Sequence, residues 1–183
     1  MSARIAKILS EKAFTFSPTQ YLSIHRELFL GIYSHAGKIR DYNITKKEWV
    51  LDGDTVSYGG ATELRETLEY DFSQERDFHY NGLTMDDVIH HLAVFISRLW
   101  QIHVFEEGNT RTTAVFLIKY LRMLGFDSEN DLFAEHSWYF RNALVKEGRI
   151  EGAFLMGRMW LIPKVVKKPE DPRRVRKNGQ DKK

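Results

Sequence analysis

The chain has 183 residues, of which 43% are hydrophobic and 13% aromatic, enough apolar material for one domain with a real core. It contains no cysteine, which excludes disulfides and thiolate chemistry, and no run of about 18 apolar residues, which excludes a membrane-spanning helix. The net charge of +2 is uneven: residues 164–183 hold nine Lys or Arg against three Asp or Glu, leaving a mildly acidic body with a basic tail.

Met1 to Lys12 alternates charged and apolar residues and lacks the apolar stretch of a signal peptide. A cytoplasmic protein is therefore expected. Ser17-Pro18 reads as a helix start, with Pro in the first turn. Leu22, His25, Phe29 and Tyr33 follow at helical spacing, as do Tyr21, Ile24, Leu28 and Ile32. Gly37 closes that element. The segment Trp49-Val50-Leu51, Asp52-Gly53-Asp54, Thr55 to Tyr58 reads as a hairpin about a Gly-containing turn. Gly59-Gly60 separates it from a helix over about Thr62 to Gln74.

Thr84-Met85-Asp86-Asp87 is a capping-box pattern opening a helix that runs to about Ile102. A second helix, Thr110 to Leu124, is apolar nearly all round, as a helix at the centre of a bundle must be. Gly125 stops it. A further helix spans about Asp131 to Lys146, with Trp138, Tyr139 and Phe140 expected in the core. Gly148 to Pro163 reads as a second, short hairpin. The pattern predicts a mainly α fold, a helical bundle with two small hairpins. Residues 1–146 are expected to form the catalytic domain, and 147–183 a short hairpin with a solvated, disordered tail.

Chemistry concentrates between the two central helices, in His103-Val104-Phe105-Glu106-Glu107-Gly108-Asn109-Thr110-Arg111-Thr112. Gly108 is read as admitting a ligand close to the backbone, and Asn109 as the N-cap of the following helix. Unpaired N–H groups and the positive dipole end of that helix form an anion site. Arg111 adds a fixed cation suited to phosphate. A carboxylate beside bound phosphate makes sense through a bridging divalent cation, which assigns Glu107 to Mg²⁺. His103 is the nearby side chain whose ordinary pKa suits a general base. Base, metal carboxylate and anion cradle together describe phosphoryl-group transfer to a hydroxyl. His90-His91 are adjacent and point apart on a helix, so they do not share a metal.

The string resembles the Fic signature, His-x-Phe-x-acidic-Gly-Asn-x-Arg, at His103, Phe105, Glu107, Gly108, Asn109 and Arg111. The resemblance runs from about Ser17 to Val145 and includes Ala36 to Arg40 and the Trp49–Tyr58 hairpin. It implies a Fic-type helical bundle with a β-hairpin flap. It implies a protein adenylyltransferase, moving AMP from ATP to a Ser, Thr or Tyr hydroxyl of a target protein. In that reading His103 deprotonates the hydroxyl and Glu107 holds Mg²⁺. Gly108, Asn109, Thr110 and Arg111 bind the phosphates of ATP, and Phe105 anchors the loop in the core. The target would dock on the hairpin at residues 47–58, and a separate inhibitor protein would be a further partner. The expected location is the bacterial cytoplasm, or another cell to which the protein is delivered.

Three positions depart from the family pattern. Val104 stands for the usual Pro, Thr110 for the Gly of adenylylating members, and Ala114 for the usual second Arg, which contacts the outer phosphate. Thr110 leaves a Doc-like protein phosphotransferase as an alternative. The family's inhibitory pattern is absent: Thr62 to Glu66 is followed by Thr67. Glu147 to Phe154, Trp160 to Lys164 and Arg173-Arg174 resemble the wing and tail of excisionase-like winged-helix DNA-binding proteins. The second alternative is thus a Fic-fold remnant working through its basic C-terminus on nucleic acid, by weak electrostatic contact.

Overall fold

The computed structural model describes residues 1–147. Within them the order is α1 (Ser2–Ser10), α2 (Pro18–Phe29), β1 (Thr45–Lys47), β2 (Thr55–Ser57), α3 (Leu64–Asp77), α4 (Met85–Ile102), α5 (Asn109–Met123), α6 (Asp131–Glu135) and α7 (Ser137–Glu147). The fold is mainly α, as the periodicity predicts. The predicted second hairpin, the winged-helix likeness and the basic tail lie outside the described residues.

Helix α5 is the axis of the bundle and packs against α1, α2 and α4. Val115 to Leu121 are all buried, so no face is left for water. Even Lys119 is inside, where its ammonium donates to the carbonyls of Ile8 and Glu11, each at 2.9 Å. Those are unpaired carbonyls at the C-terminal end of α1, so a buried cation is stabilised by a helix end. Arg4 does the same for α2, donating to Leu28 O and Leu30 O. The first helix is therefore stapled to the bundle at both ends, although the sequence reading assigns it no structure.

The caps follow local chemistry. The Ser17 hydroxyl accepts from Gln20 N at 3.1 Å at the start of α2. Thr84 and Asp87 form the expected capping box at the start of α4, with both backbone bonds at 3.2 Å. Helix α2 ends at Phe29, so Ile32 and Tyr33 fall beyond it and Ile32 is exposed.

Three expectations need correction. The first strand of the hairpin is Thr45–Lys47, not Trp49 to Leu51. Register pairs Thr45 with Ser57 and Lys47 with Thr55, and Trp49–Leu51 form a 3₁₀ turn in the connection. Left-handed conformations at Asp52 (φ 57°) and Gly53 (φ 83°) reverse the chain there. The predicted last helix is divided at His136 into α6 and α7. Finally, Trp138 is 61% exposed and Tyr139 is exposed, so Phe140 alone of that trio is core.

Candidate active site

The loop between α4 and α5 is held from beneath by hydrogen bonds from buried side chains, most of them uncharged. Asn109 is not the N-cap of α5. Gly108 takes that place, and Asn109 is the first helical residue, its buried amide turned back into the loop. Its Oδ1 accepts from Phe105 N at 3.1 Å and its Nδ2 donates to Phe105 O at 2.7 Å. Phe105 is fully buried and stacks on His25, with ring centroids 3.7 Å apart. His25 Nδ1 accepts from Gly37 N–H at 2.8 Å, so its Nε2–H donates to the Glu107 carbonyl at 2.9 Å. Burial above all pushes its pKa down to about 4, which keeps that neutral tautomer.

Gly108 has its own reason, different from the expected approach of a ligand. Its φ is 85°, and a Cβ there would lie 2.4 Å from Phe29 Cε2, which is inside van der Waals contact. The loop can be this close to α2 only if position 108 has no side chain.

His103 ends α4 in the left-handed region, at φ 54°. A non-glycine residue held there carries local strain, which persists only when neighbours over-determine it. Arg40 is one such neighbour: buried, it donates Nε to His103 O at 2.8 Å, and its N–H bonds Val104 O at 2.9 Å. Its other nitrogens reach the carbonyls of Tyr42 and Gly59. The imidazole is sandwiched at the site, stacked on Tyr58 at 3.9 Å and edge-on to Trp100 at 5.3 Å. Its Nδ1 is buried with no hydrogen-bond partner among the described residues. Burial first, then the charge of Lys46, pushes its pKa from 6.5 down to about 3, so the ring is uncharged here, and this environment weakens it as a base.

One cavity of about 140 Å³ gathers Gly108, Asn109, Thr110, Arg111, His103 and Glu107. The structure thus brings all the predicted site residues together. Thr112 N–H is the first in α5 to find a carbonyl, Gly108 O at 3.0 Å. The N–H groups before it have no partner within the helix, as at any helix start. Thr110 Oγ1 accepts from Trp100 Nε1 at 3.0 Å. The Arg111 guanidinium lies over the Phe29 ring at 4.9 Å. Ala114 is partly buried against the core.

Glu107 is an exposed carboxylate with Lys46 of β1 at 3.6 Å. Among the described residues no three His, Cys, Asp or Glu side chains cluster as metal ligands. Glu107 is thus a carboxylate at the cavity outside any such cluster. Sequence reasoning missed the other residues lining the cavity: Lys46 and Glu48 from the hairpin, Tyr58, Trp100, and Arg141 from α7. It also missed His25 and Arg40 beneath the loop. No spacing rule links residues so far apart in the chain, although Ala36 to Arg40 belongs to the family resemblance.

Residues 15–121 match the family model described as Fic/DOC family. The chain belongs to the Fic/DOC family. It is 28% identical over 108 residues to protein adenylyltransferase VbhT of Bartonella schoenbuchensis, covering 59% of this chain and 21% of that protein. The chain thus spans about a fifth of the length of the curated relative it matches. In structure it is similar to the N-terminal FIC domain of Bep8, a VirB-translocated effector of Bartonella sp. 1-1C. The TM-score is 0.71 at 19% identity, with 95% of this chain and 82% of that one covered. BepC of Bartonella tribocorum, solved with bound AMPPNP, has a TM-score of 0.67 at 17% identity, covering 92% and 85%. At those identities the structural likeness speaks to the fold. No helix among the described residues is long and apolar enough to cross a membrane.

Proposed function

We propose that this Fic-family chain is a protein adenylyltransferase that transfers AMP from ATP to a hydroxyl of a target protein. The observation that carries the reading is the single cavity in which a neutral, buried His103 faces the N-terminus of α5 together with Arg111 and Glu107. ATP phosphates bind the free N–H groups of Gly108, Asn109 and Thr110 and the Arg111 guanidinium. His103 takes the hydroxyl proton as the target oxygen attacks the α-phosphorus. The bond from that phosphorus to the β-phosphate oxygen breaks, and pyrophosphate leaves. Glu107 is the residue that would hold Mg²⁺, whose contribution is to neutralise charge on the phosphates. Resemblance to a named adenylyltransferase and to a nucleotide-bound BepC supports the choice of ATP.

The target segment lies along the hairpin at residues 47–58. That sheet has two strands, so each strand keeps one edge able to accept a further strand. A second reading, phosphoryl transfer of the Doc-like type, is favoured by Thr110, whose side chain occupies the anion end of the cavity.

Incubation with α-labelled or γ-labelled ATP, Mg²⁺ and a cell lysate separates the readings. Label on protein from the α position alone supports adenylylation. Label from γ alone means phosphorylation, and label from neither means that the chain is a binding module.

A further inference from the structure

The hairpin and α7 meet at an ion pair inside the same cavity. Arg141 Nη2 lies 2.7 Å from both carboxylate oxygens of Glu48, and Nη1 reaches Asn142 Oδ1 at 3.3 Å. Glu48 is 3% exposed, and Arg141 is its carboxylate's only hydrogen-bond donor among the described residues. The Arg141 side chain is 28% exposed and also lies over the Trp138 ring. Both charged groups line the same cavity as the N-terminus of α5.

This arrangement has two physical consequences. A carboxylate held inside an anion site repels an incoming phosphate. It also engages a guanidinium whose fork of donors fits phosphate as well as it fits carboxylate. The cavity is correspondingly small, about 140 Å³ against roughly 300–1,000 Å³ for small-molecule sites in general. Glu48 follows β1 directly and precedes the 3₁₀ turn at Trp49–Leu51, so its withdrawal requires movement of the hairpin and not of a core helix.

We propose that Arg141 is a polyphosphate-binding residue of this site and that Glu48 is an internal anion occupying it until polyphosphate takes its place. The proposal rests on reading the cavity as a site for nucleotide phosphates. It assigns α7 a part in binding and makes the hairpin position sensitive to nucleotide.

The test is calorimetric titration of ATP and of inorganic tripolyphosphate into the wild type, E48Q and the double variant E48Q/R141Q. The double variant leaves no lone buried charge, so the fold is spared the cost of an unpaired ion. E48Q is expected to bind both probes about tenfold tighter, and the double variant to lose that gain. In the wild type, saturation with tripolyphosphate should shift the Arg141 Nε resonance as the guanidinium changes partner, a readout independent of any variant. The inference is overturned if folded E48Q binds no tighter than wild type or if the double variant binds as tightly as E48Q. An unmoved Arg141 resonance, or no binding of tripolyphosphate by any of the three proteins, also overturns it. These binding changes without transfer from labelled ATP would retain the Arg141 site and remove the adenylyltransferase reading. Transfer with unchanged affinities would do the reverse.

Discussion

The floor and the wall of the cavity are held by different kinds of force. The floor, residues 103–111, is fixed by short bonds between buried, mostly uncharged groups: Asn109 to Phe105, His25 to Glu107 O, and the arginine Arg40 to His103 O. The wall, made by the hairpin and α7, is held by Arg141 with Glu48 and by Lys46 with Glu107. Buried neutral bonds are insensitive to salt and geometrically strict, so they suit groups that must not move. Ion pairs can exchange one anion for another, which under the proposal above suits a surface that opens for a charged ligand.

The sharpest way to break the comparison is at His103. Under the proposed function, His103→Ala is expected to lower transfer by on the order of 10²–10⁴-fold with a melting transition still present, since the reading makes the ring the proton acceptor. Activity within a few-fold of wild type, measured by α-label transfer, would remove His103 from the mechanism.

The second effect is on stability. The unfolded chain protonates this ring below about pH 6.5, whereas the folded chain does so only near pH 3. Stability associated with the neutral ring is complete above pH 6.5 and is lost as pH falls toward 3, at about 1.4 kcal/mol per pKa unit within that window. His103→Asn should therefore flatten part of the acid limb of denaturant-derived stability. Parallel limbs in both proteins would show that the ring is not shielded.

A smaller loss is expected from Asn109→Ala, which leaves Phe105 N and O unpaired inside the loop, at a cost of about 1–3 kcal/mol. Chemical denaturation measures it, and a cost near zero would mean that the floor is not fixed by this amide. The smallest effect belongs to the wall. Lys46→Ala removes an exposed pair at 3.6 Å and should change stability by about 0–1 kcal/mol. A loss as large as that of Asn109→Ala would erase the distinction between floor and wall.

Much of the floor is legible in the sequence because its parts are adjacent. A helix C-terminus, six linking residues and a helix N-terminus put His103, Glu107 and Arg111 together whatever surrounds them. Roles within it were less legible. Asn109 and Gly108 exchange cap positions, and Gly108 answers to Phe29, a residue 79 positions earlier whose closeness no local rule foretells. The sequence predicts the hairpin but puts its first strand too late, because Trp49, Val50 and Leu51 have strand-like composition yet form a 3₁₀ turn. Trp138 reads as a core residue in the sequence but stacks on Trp49 at the surface, with centroids 5.8 Å apart.

By itself, then, the sequence determined what local forces decide: the caps of α2 and α4, the central apolar helix α5, and the motif loop between the last two. Helical periodicity and capping act over three or four residues, and those signals survive in one dimension. Only the tertiary structure decided that Lys119 would be buried against the end of α1, that His25 and Arg40 would support the loop, and that Glu48 and Arg141 would meet across the cavity. Such contacts depend on where packing brings distant segments, and a buried charge is tolerated only where the fold happens to supply its partner.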